Sequence, residues 1–315
     1  YIVTGGNRGL GLSIAANLAK SPSAEVVLAV RDLKRGNETA SKIGSNISAK
    51  ELDMSSSKSI ERFMTDWERP IEGLVNNAGV QIVDSTRLTE EEGYEETFAV
   101  NHLYALKLTV GLMGNLRGGR VLFIGSGTHN PKNRTATVFG FRGALYESIQ
   151  KCAQGLHSSP KIAQLGMDRY ATSKFLNMVS TVELSRRLNP SMVTFYCLDP
   201  GLMPGTGLAR TAPSYLRFAW KYILPIIARI LPDTSTTKKS GQAGAWLMTA
   251  DKRLLNNGGI YSYDRRLSSR VWEKVSDPAV GRRVINESFK LLGFDHEILN
   301  SIAQDRAGNS DKASA

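Results

Sequence analysis

The stretch TGGNRGLG, residues 4–11, lies between an apolar strand pattern at Tyr1-Ile2-Val3 and a helical pattern from Leu10 to Lys20. Strand, glycine turn and helix, in that order, make a phosphate cradle. Glycines let the backbone turn tightly and approach an anion. The helix behind them aims its free N–H groups at phosphate oxygens. The spacing is T-G-x-x-x-G-x-G rather than the commoner G-x-G-x-x-G, so its context carries the argument. Gly5, Asn7, Arg8, Gly9, Leu10 and Gly11 are the candidate pyrophosphate contacts. A turn built only for packing is the competing reading, and the element order weighs against it.

Outward from this turn, short apolar runs alternate with helical patterns. Strands are predicted at EVVLAV (25–30), SAKELDM (48–54), IEGLVNNAG (71–79), RVLFIGSG (120–127), MVTFYCL (192–198) and GGIYSYD (258–264). Helices are predicted over 34–43, 57–67, 91–116, 170–188 and 271–292. Runs as continuously apolar as VLFI suit a parallel strand covered on both faces. The alternation predicts an α/β fold, a doubly wound (Rossmann) parallel sheet of about seven strands with helices on both faces. No internal repeat or long linker divides the chain, so residues 1–303 read as one domain. Residues 128–165 interrupt the rhythm as an insertion that forms a wall of the substrate pocket, 205–250 form a lid region, and 304–315 read as a disordered tail.

The type of dinucleotide can be argued from the end of the second strand. Asp32 has the spacing of an acid that would hold the ribose hydroxyls of NAD. Arg31 precedes it, however, and Arg8 lies inside the glycine loop. Two guanidiniums grip a 2′-phosphate strongly, because both partners are charged. The expected cofactor is therefore NADP(H). Asp53 follows the third strand, where it either accepts from the adenine amino group or caps the next helix. Asn77, Ala78 and Gly79, after the fourth strand, let the chain pass close to the adenosine ribose.

The reaction centre is expected at YATSK, where Tyr170 and Lys174 stand one helical turn apart on one face. A tyrosine has an ordinary pKa near 10. A neighbouring ammonium favours the phenolate and makes the phenol a usable acid for a carbonyl being reduced. Lys174 can also hold the nicotinamide ribose. Ser126 leaves the fifth strand at its carboxyl end, where ligands bind in open α/β sheets, and its hydroxyl can steady a substrate oxygen. Asn101, a poor helix former in the middle of a helical pattern, can reach the lysine through a water. His102 and His129 lie beside these residues and read as structural.

With these residues the chain resembles the short-chain dehydrogenase/reductase family. The resemblance covers about residues 1–208 and rests on TGGNRGLG, VRD at 30–32, LDM at 52–54, NNAG at 76–79, Asn101, Ser126, YATSK, and PG at 200–201 with Thr206 beyond. It implies a catalytic set of Asn101, Ser126, Tyr170 and Lys174. It also implies cofactor contacts from Asp53, Met54, Tyr170, Lys174, Pro200, Gly201 and Thr206. Three features depart from the compact family pattern: Tyr104 where glycine is common, the long gap between Ser126 and Tyr170, and the extent of chain beyond Thr206. Carbonyl reductases, retinol dehydrogenases and protochlorophyllide reductase carry comparable additions. The segment 240–294 is similar to the last of these.

The implied activity is NADPH-dependent reduction of a moderately large hydrophobic ketone or aldehyde to an alcohol. A dinucleotide-binding regulator without turnover, and a C=C or C=N reductase on the same scaffold, are the alternatives. Tyr215, Phe218, Trp220, Tyr222 and the isoleucines of 213–232 supply either an apolar lid or a helix lying on a membrane. Arg217, Lys221, Pro225 and Arg229 interrupt this run too often for a spanning helix. The net charge of +11 is dispersed, with no block of like charge, so no nucleic-acid partner is expected. Only Cys152 and Cys197 are present, without metal-ligand spacing, so no metal and a reducing, cytoplasmic setting are expected, with membrane association as the alternative. The insertion before Tyr170 is expected to cover helices through which family members pair, leaving a monomer or homodimer.

Overall fold

Each apolar run assigned to a strand becomes one in the computed structural model, which describes residues 1–116, 118–156, 161–204 and 233–295. The strands are β1 (Ile2–Thr4), β2 (Val26–Val30), β3 (Ile47–Glu51), β4 (Gly73–Asn76), β5 (Gly119–Ile124), β6 (Val193–Asp199) and β7 (Ile260–Ser262). They form one seven-stranded sheet in the order β3-β2-β1-β4-β5-β6-β7. Every pairing is parallel. The chain order reverses at β1, which pairs with both β2 and β4. That reversal opens a crevice at the carboxyl ends of the strands.

The helices are α1 (Gly9–Leu18), α2 (Leu33–Ile43), α3 (Ser57–Thr65), α4 (Glu96–Phe98), α5 (Tyr104–Gly111), α6 (Arg134–Val138), α7 (Ile149–Ala153), α8 (Ile162–Arg187), α9 (Thr237–Thr249) and α10 (Pro278–Leu292). Side chains alternate across the sheet. Val121, Phe123, Phe195 and Cys197 join Leu103, Tyr104, Phe175, Val179 and Phe289 on one face. Leu122, Ile124, Tyr196 and Leu198 join Leu10, Ile14, Ala243 and Leu247 on the other. Both faces are covered, which is why the strands are apolar throughout.

Several predicted boundaries move. The helix expected over 91–116 begins only at Glu96, because Gly93 turns at φ 67° and the Glu95 carboxylate accepts the Phe98 N–H as a cap. It is then interrupted by a π-turn, Ala99–Leu103, and ends at Gly111. The helix containing Tyr170 starts at Ile162, inside the expected insertion, where Gly166 lets it pass against the Ile82 carbonyl. The last helix begins at Pro278, capped by Asp277, after a separate 3-10 turn at Glu273–Ser276. Strand β3 ends at Glu51, short of Asp53.

Of the region expected as a lid, 205–232 lies outside the described residues, and with it the aromatic run 213–232 and Thr206. Residues 237–249 form a helix of the main layer, packed on α1. Its Gly241 and Gly244 meet Ser13 and Ile14 so closely that a Cβ on Gly241 would stand 2.1 Å from Ser13 Oγ. The tail 304–315 also lies outside the described residues. Among the described residues no helix is long and apolar enough to cross a membrane, and no His/Cys/Asp/Glu cluster could hold a metal ion.

Candidate functional site

The glycine turn folds as its sequence requires. Gly5 and Gly9 take φ of 60° and 56°, where a side chain would be strained. Arg8 occupies the N-cap of α1, is extended, and makes no side-chain cap bond, so the first-turn N–H groups face the crevice. A Cβ at Gly9 would meet nothing within 4 Å. At Gly11 it would stand 2.4 Å from Asn77 Nδ2 and 2.8 Å from Gly5 O. Thr4 Oγ1 accepts the Asn77 and Ala78 N–H groups at 3.0 and 2.9 Å. Asn77 Nδ2 donates to Thr4 O at 2.8 Å and to Gly5 O at 3.3 Å. These bonds lock the ends of β1 and β4 together. An open helix N-terminus behind a glycine-lined floor fits a dinucleotide pyrophosphate.

At the end of β2, where the adenosine is expected, Arg31 is exposed and its Nε lies 4.0 Å from Asp53 Oδ2. Arg8 is exposed as well. Asp32 is used locally: it caps α2 by accepting from the Arg35 N–H at 3.0 Å. Asp53 is not the helix cap weighed from the sequence, because Ser56 fills that place. Its Oδ1 instead accepts from Ser55 N and Oγ at 2.9 and 2.7 Å. Met54 beside it is buried.

At the reaction centre, α8 carries Tyr170 and Lys174 to the end of β5. Ser126 lies beside the Tyr170 phenol and favours its ionised form. Lys174 Nζ lies 5.5 Å from the Tyr170 ring centroid and donates to Ile124 O at 3.1 Å. The π-turn holds Asn101, an arrangement frequent at functional sites. Its Oδ1 accepts from Val80 N at 2.7 Å, while Nδ2 donates to Val80 O at 2.8 Å and Ser173 Oγ at 3.0 Å. A Cβ on Gly79 would lie 3.1 Å from Asn101 Oδ1 and 3.6 Å from Lys174 Nζ. Asn101 and Lys174 therefore meet over Gly79, and Lys174 lies beside Tyr170. Pro200 and Gly201 follow β6 on the same edge, Gly201 at φ 70° with its N–H on Asp199 Oδ1.

The electrostatics differ from the expectation that Lys174 pulls the phenol down. Burial drives the Tyr170 phenol upward, Ser126 opposes it, and Asp199 adds to the rise. The same burial lowers Lys174 to about 8, with Cys197 opposing. Desolvation disfavours the charged form of each group, so it acts on the acid and the base in opposite directions.

The insertion reaches this centre, since the Phe141 ring lies 6.2 Å from that of Tyr170. Arg142 beside it pairs with Asp168, whose carboxylate is wholly buried, two residues before Tyr170. His129 is a strut: Nδ1 donates to Ser126 O at 2.6 Å and Nε2 accepts from Trp272 N at 3.1 Å. His102 is buried against Ser288 Oγ and held down at about 3 by burial. Sequence reasoning missed Asp199 and Thr128. Asp199 had a signal in its place directly before Pro200; Thr128, two residues past Ser126, had none.

Residues 1–140 match the family model of short chain dehydrogenases. Protochlorophyllide reductase A of Arabidopsis thaliana is 28% identical over 322 residues, spanning 93% of this chain and 76% of that protein. Retinol dehydrogenase 12 of Mus musculus is 29% identical over 317 residues, spanning 94% of this chain and 87% of that one. A crystal structure of a Mycobacterium paratuberculosis protein superposes with a TM-score of 0.67 at 22% identity, covering 93% of each chain, and so shares the fold.

Proposed function

We propose that this chain is a short-chain dehydrogenase/reductase, the family whose model residues 1–140 match, and that it works as an NADPH-dependent carbonyl reductase acting on a moderately large hydrophobic ketone or aldehyde. The observation that carries the reading is the Lys174 ammonium 5.5 Å from the ring centroid of the buried Tyr170, with Ser126 beside the phenol. When bound, the nicotinamide supplies hydride to the carbonyl carbon. Tyr170 gives its proton to the carbonyl oxygen, and Ser126 donates a hydrogen bond where negative charge develops. Lys174 holds the nicotinamide ribose, and Ser126 favours the phenolate left behind. Asn101 fixes the Val80 backbone beside Gly79 and keeps the lysine's surroundings in place. Pro200 and Gly201, at the end of β6, would flank the nicotinamide.

Exposed Arg8 and Arg31 support NADPH over NADH, because a guanidinium pairs strongly with a 2′-phosphate and the 4.0 Å contact of Arg31 with Asp53 is long enough to give way to one. Phe141 at the Tyr170 ring, and relatives named for a chlorophyllide and for retinol, support a bulky apolar substrate. The test is turnover of NADPH with a panel of aromatic and long-chain ketones and aldehydes. Tyr170→Phe should lower kcat by about 10²–10⁴-fold while NADPH binding measured by fluorescence stays near that of the parent. A kcat/KM no better with NADPH than NADH would reject the cofactor assignment. Full activity in Tyr170→Phe would reject the mechanism.

A further inference from the structure

Ser126 leaves β5 in an extended conformation and caps a single 3-10 turn, Gly127–His129, with its own hydroxyl. Both hydrogen bonds that its Oγ accepts come from one residue: Thr128 Oγ1 at 3.0 Å and Thr128 N at 3.3 Å. A serine hydroxyl has two acceptor lone pairs and one proton. With both lone pairs engaged, the proton is what remains to give, and the Tyr170 phenol, whose ionised form Ser126 favours, is the neighbouring group. We infer that Thr128 is a positioning residue, one that fills the lone pairs of Ser126 Oγ and so makes the serine a hydrogen-bond donor toward the Tyr170 oxygen and a substrate oxygen beside it.

The backbone of Ser126 is fixed as firmly as its side chain. Trp272 N donates into His129 Nε2, so the imidazole carries its proton on Nδ1 and gives it to Ser126 O. His129 is buried, and burial lowers its pKa, so the ring stays neutral and the tautomer is held. Asn133 Nδ2 donates to Gly127 O at 3.0 Å and closes the turn. The turn cannot easily swing Thr128 away from the serine.

The consequence is chemical. A serine free to rotate can accept from the phenol and stabilise its protonated form. A serine that can only donate favours the phenolate, the state Tyr170 enters after giving its proton to the carbonyl oxygen. Ser126 keeps its own proton throughout. This role rests on the carbonyl-reductase reading for its catalytic meaning, but the hydrogen-bond geometry exists without turnover.

The experiment uses full-length protein labelled with carbon-13 at tyrosine Cζ, whose shift reports hydrogen bonding at the phenol. Tyr170→Phe assigns the resonance. Thr128→Val should move it, and Thr128→Ser should leave it at the parent position. In a Ser126→Ala background, adding Thr128→Val should move it no further, since the effect passes through the serine. In turnover assays, Thr128→Val should lower kcat about tenfold with little change in KM, the worth of orienting one neutral hydrogen bond, and Thr128→Ser should restore it. The inference is overturned if valine leaves the resonance in place, if serine is as impaired as valine, or if valine moves it equally without Ser126. If circular dichroism shows Thr128→Val unfolded, Thr128→Ala gives the same reading. Absence of turnover in the parent protein would refute the carbonyl-reductase reading and leave the resonance test standing.

Discussion

Replacing Lys174 with methionine should stabilise the folded protein at neutral pH while removing activity. The ammonium is buried, donates to Ile124 O at 3.1 Å, and has a pKa lowered to about 8 by desolvation, with Cys197 opposing. In the open chain a lysine titrates near 10.4. The charged form is therefore less favourable in the fold than outside it, by about 3 kcal/mol at pH 7 at 1.36 kcal/mol per pH unit. Methionine fills a similar volume without the charge. The Ile124 carbonyl is not orphaned, because Asn177 Nδ2 also donates to it at 3.2 Å.

The sign follows from proton counting. Between about pH 8 and 10.5 the unfolded chain binds more protons at this position than the fold does, so parental stability rises with pH across that window. Lys174→Met lacks the dependence. Urea unfolding of both proteins, without cofactor, should show the variant ahead by about 2 kcal/mol at pH 7, after allowing about 1 kcal/mol for the lost hydrogen bond. The lead should be gone by about pH 10. A stability difference that does not change with pH would refute the desolvated-lysine argument, as would a variant less stable than the parent at pH 7.

Gly11→Ala pits helix propensity against sterics. Alanine gains about 1 kcal/mol in a helix, but its Cβ would stand 2.4 Å from Asn77 Nδ2 and 2.8 Å from Gly5 O, an overpacking that costs about 1–3 kcal/mol. Thermal melting should show a net loss, and NADPH affinity should fall because the β1–β4 clamp is displaced; an unchanged Tm and affinity would remove the cradle argument. For assembly, the buried faces of α5 and α8 predict a monomer, with a light-scattering mass near 34.4 kDa. A stable tetramer would contradict it.

The strands were legible because a parallel strand covered on both faces must be apolar at every position, as Val121 to Ile124 are. The crevice was legible too, since Gly5, Gly9 and Gly11 each meet a demand that other residues satisfy poorly. Helix α9 was not, because Gly241 and Gly244, which let it approach α1, are poor helix formers and mask the pattern. The π-turn at Asn101 has no periodic signature of its own. Thr128 and His129 gain their roles only through geometry. The latter's partner, Trp272, is 143 residues away in sequence. Asp32 had the spacing of a ribose ligand, yet the start of α2 claims its carboxylate.

The insertion before Tyr170 and the chain beyond β6 are best understood as one feature. Asn130 Nδ2 donates to Arg270 O at 2.8 Å, Lys132 pairs with Glu273, and Ile149 N donates to Glu287 Oε2 at 2.8 Å. Trp272 and Tyr146 pack at a tilt against Phe175 of α8 from the two sides of this seam, with ring centroids 5.4 and 6.0 Å away. Either segment alone would leave apolar surface of α8 and several backbone groups facing water. Together they bury both, and they deliver His129 to the carbonyl of Ser126. The two departures from the compact family pattern thus require each other. What they build is a rigid support for the serine that faces the phenol.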